Sequence, residues 1–239
     1  MNTLPIQEAK DSPEIENIVT TSDALYKADV ENEKKIDQTI KEVQRYAIAL
    51  NEGFDRIKQD GILRINDIHS IQKRLEDSDA GIRSLPGTKL SNPITKEVVF
   101  VPPQNKEIIQ KALDNLEQYI NNDGLSPVHP LIKMAVLHVQ FESIHPFYHG
   151  NGRTGRIINM LYLVQKGLLD LPVLYLSRYI VRNKPQYYQL LQRVRTHNDW
   201  ENWILYMLEG VKQTSIGTID DITQVRDEMM NTKHQIRSR

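Results

Sequence analysis

Between Lys35 and Lys58 the apolar residues Ile36, Ile40, Val43, Ala47, Leu50 and Phe54 recur at alternating steps of four and three. That spacing is the stripe of a helix with one buried face. A second stripe, Ile109, Ala112, Leu113, Leu116, Tyr119 and Ile120, runs into the stop signal Asn122-Asp123-Gly124. Similar patterning predicts helices over 65–75, 131–141, 152–166, 178–195 and 199–211. Only Arg83–Pro103 reads as strand, with Val98-Val99-Phe100-Val101 at its centre and Leu85-Pro86-Gly87, Ser91-Asn92-Pro93 and Pro102-Pro103 as punctuation. The expected fold class is therefore all-α with one β-hairpin. The charged stretch Asp220–Arg239 reads as a helix leaving the domain or as the start of a second one. Near the amino terminus, Ser12 as N-cap, Pro13 at the first helical position and Glu14 in the first turn have the form of a helix start.

At 239 residues the chain is long enough for one generous domain, burying roughly 70% of the surface that its unfolded form exposes. Lys+Arg 30 against Asp+Glu 31 leaves a formal charge of −1, so no overall basic field argues for nucleic acid. There is no cysteine, which excludes disulfides and zinc–thiolate sites. No apolar run approaches the ~18 residues of a membrane span, and the start lacks the basic-then-apolar order of a signal peptide. A cytoplasmic protein with no membrane partner is the expectation.

The stretch His145-Pro146-Phe147-Tyr148-His149-Gly150-Asn151-Gly152-Arg153-Thr154-Gly155-Arg156 carries the chemistry. Gly150 and Gly152 let the backbone approach an anion closely, and the apolar run after them reads as a helix whose amino end would aim unpaired N–H groups at the same spot. Arg153 and Arg156, three apart, share a helical face on which each fork can take a phosphate with two hydrogen bonds. His145, at the head of the loop, is the side chain whose ordinary pKa suits proton abstraction near neutrality. His138 falls on the apolar face leading to the loop and reads as a packed, hydrogen-bonded structural histidine. His69, His129, His197 and His234 show no metal-ligand spacing.

This loop resembles the signature of the Fic family, His-x-Phe-x-(Asp/Glu)-Gly-Asn-Gly-Arg-x-x-Arg, and meets every fixed position but one. The exception is His149, where the family has the carboxylate that holds the magnesium of Mg-ATP. The resemblance implies a Fic-type helical domain with a hairpin flap, and a protein adenylyltransferase that moves AMP from ATP to a Ser, Thr or Tyr hydroxyl. It makes His145 the base, Asn151 a contact of the α-phosphate with Gly150 and Gly152 supplying amides, Arg153 the holder of the β-phosphate and Arg156 of the γ-phosphate. Tyr188, beside Tyr187, corresponds to an aromatic site bordering adenine, although both tyrosines read equally well as core. The metal would be magnesium or manganese, with His149 an unusual ligand for it. The segment 82–101 corresponds to a flap that docks the protein target, or is a plain structural hairpin.

Ser12, Glu16 and Asn17 fit the family's inhibitory pattern (Ser/Thr)-x-x-x-Glu-(Gly/Asn), which implies that Glu16 pairs with Arg156 and blocks the γ-phosphate. The implied organisation is an inhibitory region over 1–34, a Fic domain over 35–215 and a helical extension over 216–239. Self-modification belongs to the same expectation. Two rival readings use the same residues: a nucleotide-binding regulatory or pseudo-enzyme module in which His149 has weakened metal catalysis, and a Fic fold that transfers a different phosphate-containing group; the same site would also suit the reverse hydrolysis.

Overall fold

Helices make up most of the computed structural model, which describes residues 3–18, 20, 37–91 and 95–237. In chain order the elements are α1 (Thr3–Ile15), α2 (Gln38–Asp60), α3 (Ile65–Glu76), the strands β1 (Leu90–Ser91) and β2 (Val98–Phe100), α4 (Lys106–Asn121), α5 (Pro130–Ile144), α6 (Asn151–Gln165), α7 (Leu176–Arg182), α8 (Lys184–His197) and α9 (Trp200–Arg237). The all-α class with one hairpin is thus the architecture adopted. Of the first apolar stripe, Lys35 and Ile36 lie outside the described residues, as does most of 19–36.

Local chemistry sets the helix ends. The Asp37 carboxylate accepts from the Thr39 N–H to start α2, and Gly61 ends it with φ 71, its N–H on the Ile57 carbonyl. Asn105 caps α4 by accepting from the N–H groups of Glu107 and Ile108, and His129 caps α5 through Nδ1 on the Leu131 N–H. Helix α6 differs from these amphipathic helices: thirteen of its fifteen residues, Asn151 and Arg153 through Val164, are buried. A helix buried on all sides belongs at the centre of a domain, and α6 is flanked by α2, α3 and α5. Helix α1 lies across α2 and α7, while the first turns of α9 pack on α5 and α7 and anchor there through Trp203, whose Nε1–H donates to the Ala135 carbonyl at 2.8 Å.

Four expectations need correction. Residues 178–195 form two helices, because Pro185 lacks an N–H and its ring clashes with the carbonyl four residues back, so the chain turns at Asn183 and restarts. The helix expected over 199–211 runs unbroken to Arg237, through the 215/216 position, since no proline intervenes; from Ile219 to Gln235 its side chains, including Ile222, Val225 and Met229, are exposed. Among the described residues, the strand expected over 83–103 shrinks to the pairs Leu90–Phe100 and Ser91–Val98. Prolines at 86, 102 and 103 remove ladder donors, and Ile82 bridges Phe147 instead of a hairpin partner.

The fourth correction concerns Ser12, which is not an N-cap. It stands in the last turn of α1, with Pro13 and Glu14 after it. Asn17 ends the helix with φ 66, its N–H on the Glu14 carbonyl at 2.9 Å and the Ile18 N–H on the Pro13 carbonyl at 3.1 Å. The Ser12 hydroxyl is drawn inward by Arg156 rather than toward its own backbone.

Candidate active site

His145 caps α5 in the left-handed region, φ 47, with its N–H on the Phe141 carbonyl. A residue the sequence did not mark, Arg83, holds this strained corner. Its buried guanidinium donates to the carbonyls of His145 (2.7 Å), Ile144 (3.4 Å) and Pro103, and its backbone N–H donates to Pro146. One arginine thereby ties both ends of the hairpin segment to the loop. Burial, followed by the positive charges of Arg83 and Arg195, pushes the His145 imidazole down to about 4, so it is neutral at physiological pH and able to accept a proton.

Phe147 is fully buried against His69 and Phe141. Asn151 reaches back across the turn: its Oδ1 accepts from the Phe147 N–H at 2.9 Å and its Nδ2 donates to the Phe147 carbonyl at 2.8 Å. The side chain matched to the α-phosphate therefore shapes the loop, with one amide hydrogen left over. Gly150, φ 74, then starts α6 with no side-chain cap, leaving the first amides of the helix without an intrahelical partner.

Arg156 is 4% exposed, and α1 grips it. Its Nε donates to the Ser12 hydroxyl at 2.7 Å, and its Nη2 donates to the Ser12 carbonyl at 3.0 Å and to Glu16 Oε1 at 3.0 Å. Gly152 makes room for this arrangement: a Cβ there would lie 2.6 Å from Glu16 Oε1 and 2.9 Å from Arg156 Nη1. Glu16 also reaches Arg153, Oε2 to Nε at 3.3 Å. Arg153 is further paired with Glu42 at 3.0 Å and Glu76 at 2.8 Å, two partners that nothing in the sequence pattern singled out. Lys184 donates to the Asn17 side chain at 2.8 Å and secures the end of α1.

The outlying candidates separate clearly. His138 is buried, bonded to Tyr187 Oη at 2.7 Å and to the Asn159 amide at 2.9 Å, and burial pushes it down to about 3. It is the structural histidine expected. Tyr187 is committed to that network, whereas Tyr188 stands edge-on to it and is 48% exposed. His149 is exposed; its carbonyl accepts from Gln72 Nε2 at 3.4 Å. As a nitrogen donor it does not fit the hard magnesium ion, which favours oxygen. Among the described residues no helix is long and apolar enough to cross a membrane.

A model of the Fic/DOC family matches residues 35–163, and a model of the Fic/DOC family N-terminal region matches residues 1–55. The chain belongs to the Fic/DOC family. Among similar proteins, "Protein adenylyltransferase fic-1" of Caenorhabditis elegans is 23% identical over 130 residues, 54% of this chain and 24% of that protein. "Probable protein adenylyltransferase aq_aa38" of Aquifex aeolicus strain VF5 is 31% identical over 94 residues, covering 39% of this chain and 28% of the other. A crystal structure of a Fic family protein from Desulfovibrio desulfuricans G20 superimposes with a TM-score of 0.74 at 22% identity, over 92% of this chain and 65% of that one. C. elegans Fic-1 (residues 134–508) gives 0.72 at 19% identity, over 94% and 65%. These two structures share the Fic fold, and the chain spans about a quarter of the length of the two named adenylyltransferases.

Helix α1 carries a buried acid on its docked face. Glu8 is buried, accepts from the Ser177 N–H at 3.1 Å, and bonds the hydroxyls of Ser177 and Tyr46. Desolvation pushes its carboxyl from 4.5 up to about 8, despite the hydrogen bonds from Ser177. The docked helix therefore holds a proton that the undocked helix releases. This contribution is full below pH 4.5 and is lost as pH rises through about 8. Within that window docking weakens by up to about tenfold per pH unit. Hydrogen-exchange protection of α1, corrected for intrinsic exchange, is expected to fall between pH 6 and 8 and level off above. In Glu8→Gln it should stay flat; a wild-type profile equally flat removes Glu8 as the cause.

Proposed function

We propose that this chain is a protein adenylyltransferase held in check by its own amino-terminal helix. The observation that carries the reading is the state of Arg156: its fork is occupied by Ser12 and Glu16 beside a glycine-rich helix start headed by a neutral histidine. Such a start takes anions, and a carboxylate on the arginine stands where a terminal phosphate would bind. Relatives named protein adenylyltransferase support the same assignment.

In the proposed reaction His145 takes the proton from a Ser, Thr or Tyr hydroxyl of a target protein. The hydroxyl oxygen forms a bond to the α-phosphorus of ATP while the bond to the bridging oxygen breaks, and pyrophosphate leaves. The free amides of α6 and the guanidinium groups of Arg153 and Arg156 hold the charge on the phosphates. Tyr188, exposed at the edge of the site, borders the adenine. The target docks at the 82–101 flap, where Leu85, Val98 and Val101 are more than half or about half exposed at 66, 50 and 51% and strand addition is open to an extended peptide. The chain's own hydroxyl groups are candidate targets by the same route. Cytoplasmic residence belongs to this proposal.

Labelled ATP tests it. With the Glu16→Gly protein and a target mixture, label from the α position but not the γ position marks AMP transfer. Label from γ marks a kinase. Binding without transfer of either marks a nucleotide-binding regulatory module, a reading that His149 favours because it withdraws the carboxylate from a magnesium site. If that substitution weakens metal use, His149→Asp in the Glu16→Gly background increases magnesium-supported transfer, and the parent works relatively better with manganese. Initial rates of both proteins in each metal decide; no gain and no manganese preference show that His149 is catalytically silent.

A further inference from the structure

The two arginines of the loop are held in different ways. Among the described residues, every hydrogen bond from the Arg156 side chain goes to Ser12 of α1 or to Glu16 just past its end. Arg153 instead spends Nη1 on Glu42 of α2 at 3.0 Å and Nη2 on Glu76 of α3 at 2.8 Å, and presents only Nε to Glu16. Helices α2 and α3 pack directly on α6 and belong to the core around it.

Charge decides what happens when a nucleotide arrives. The Arg153, Glu42 and Glu76 side chains are 7, 20 and 17% exposed. If Arg153 swung onto a phosphate, two largely buried carboxylates would lose their cation beside a polyanion, and removing one partner from such a cluster is strongly unfavourable. Glu16, the carboxylate that Arg156 would leave, is more exposed than either of these, so its release costs less. Glu76 also lies against Gly150, where a Cβ would fall 2.3 Å from its Oε1, and Gln72, one turn earlier on α3, holds the His149 carbonyl. One face of α3 thus braces the loop at 149, 150 and 153.

We propose that Glu42 and Glu76 are positioning residues: through Arg153 they fix the amino end of α6. The Nη groups of Arg153 stay on them when ATP binds, while Arg153 Nε and the fork of Arg156, both released from Glu16, turn to phosphate. This deepens the adenylyltransferase reading and rests on it for the rate arm of the test. Guanidinium ¹⁵N NMR of the Glu16→Gly protein, with and without a non-hydrolysable ATP analogue, is the first measurement. Arg153 Nη signals should keep their slow exchange and shift while those of Arg156 move; movement of the Arg153 Nη signals onto the analogue overturns the proposal.

In the same background, Glu42→Gln and Glu76→Gln should lower the AMP-transfer kcat by roughly 10²-fold, the scale expected for a displaced catalytic loop, with no tightening of analogue binding. Tighter analogue binding in either variant would mean that the carboxylates compete with phosphate. Absence of AMP transfer from the Glu16→Gly protein sinks the adenylyltransferase reading alone, since the NMR and affinity arms need no turnover. If a Gln variant fails to fold, the NMR arm decides.

Discussion

Replacing His145 with Ala is expected to cut AMP transfer by ~10²–10⁴-fold, the usual loss for a general base, while ATP binding is nearly unchanged. The side chain is placed to act on the incoming hydroxyl, and the elements that would hold phosphate, the α6 amides and Arg156, lie beyond it along the loop. The wild-type imidazole should also remain neutral well below the usual histidine range, because burial and the charges of Arg83 and Arg195 push it to about 4. Initial transfer rates paired with calorimetric ATP affinity check the first statement. A variant that transfers at the parent rate removes His145 from the mechanism.

The second large effect is expected at Glu16. Arg156 contacts Glu16 Oε1 at 3.0 Å, and α1 is docked on the domain. If that contact excludes a phosphate, Glu16→Gly tightens ATP-analogue binding by about 5- to 150-fold, the span of an ordinary coupling free energy of about 1–3 kcal/mol, and raises auto-modification. Linkage makes the effect reciprocal, so saturating analogue should loosen α1 in the parent by the same factor. Arg156→Ala should be inactive with or without Glu16. Equal affinity and equal auto-modification in parent and Glu16→Gly, both folded, would mean that α1 packs on the domain without inhibiting it.

The helical architecture was legible because its signals are local. Val43, Ala47 and Leu50 mark their buried face by spacing alone, and the glycine and arginine pattern of the loop identifies a family. Other features depend on what lies across the fold. Glu42 and Glu76 read as solvated helix charges until packing brings them to Arg153, 111 and 77 residues further along the chain. Arg83 was hidden for the same reason, being an arginine in an extended stretch whose partners are carbonyls of a distant corner. Ser12 misled because serine followed by proline commonly opens a helix, and only the pull of Arg156 shows that it closes one. Tyr187 and Tyr188 could not be told apart by sequence; burial assigns the first to the His138 network and leaves the second at the surface.

The unbroken run of α9 gives the domain a stiff arm. The turns after Thr218 reach about 28 Å at 1.5 Å per residue, and they continue a helix rooted in the core at Trp203. A fluorophore or a protein fused after Arg237 would therefore sit at a set distance and a set azimuth from the catalytic loop. Each residue inserted into the arm would rotate it by about 100°, so a ladder of one- to three-residue insertions could serve as a goniometer for reading out orientation by energy transfer.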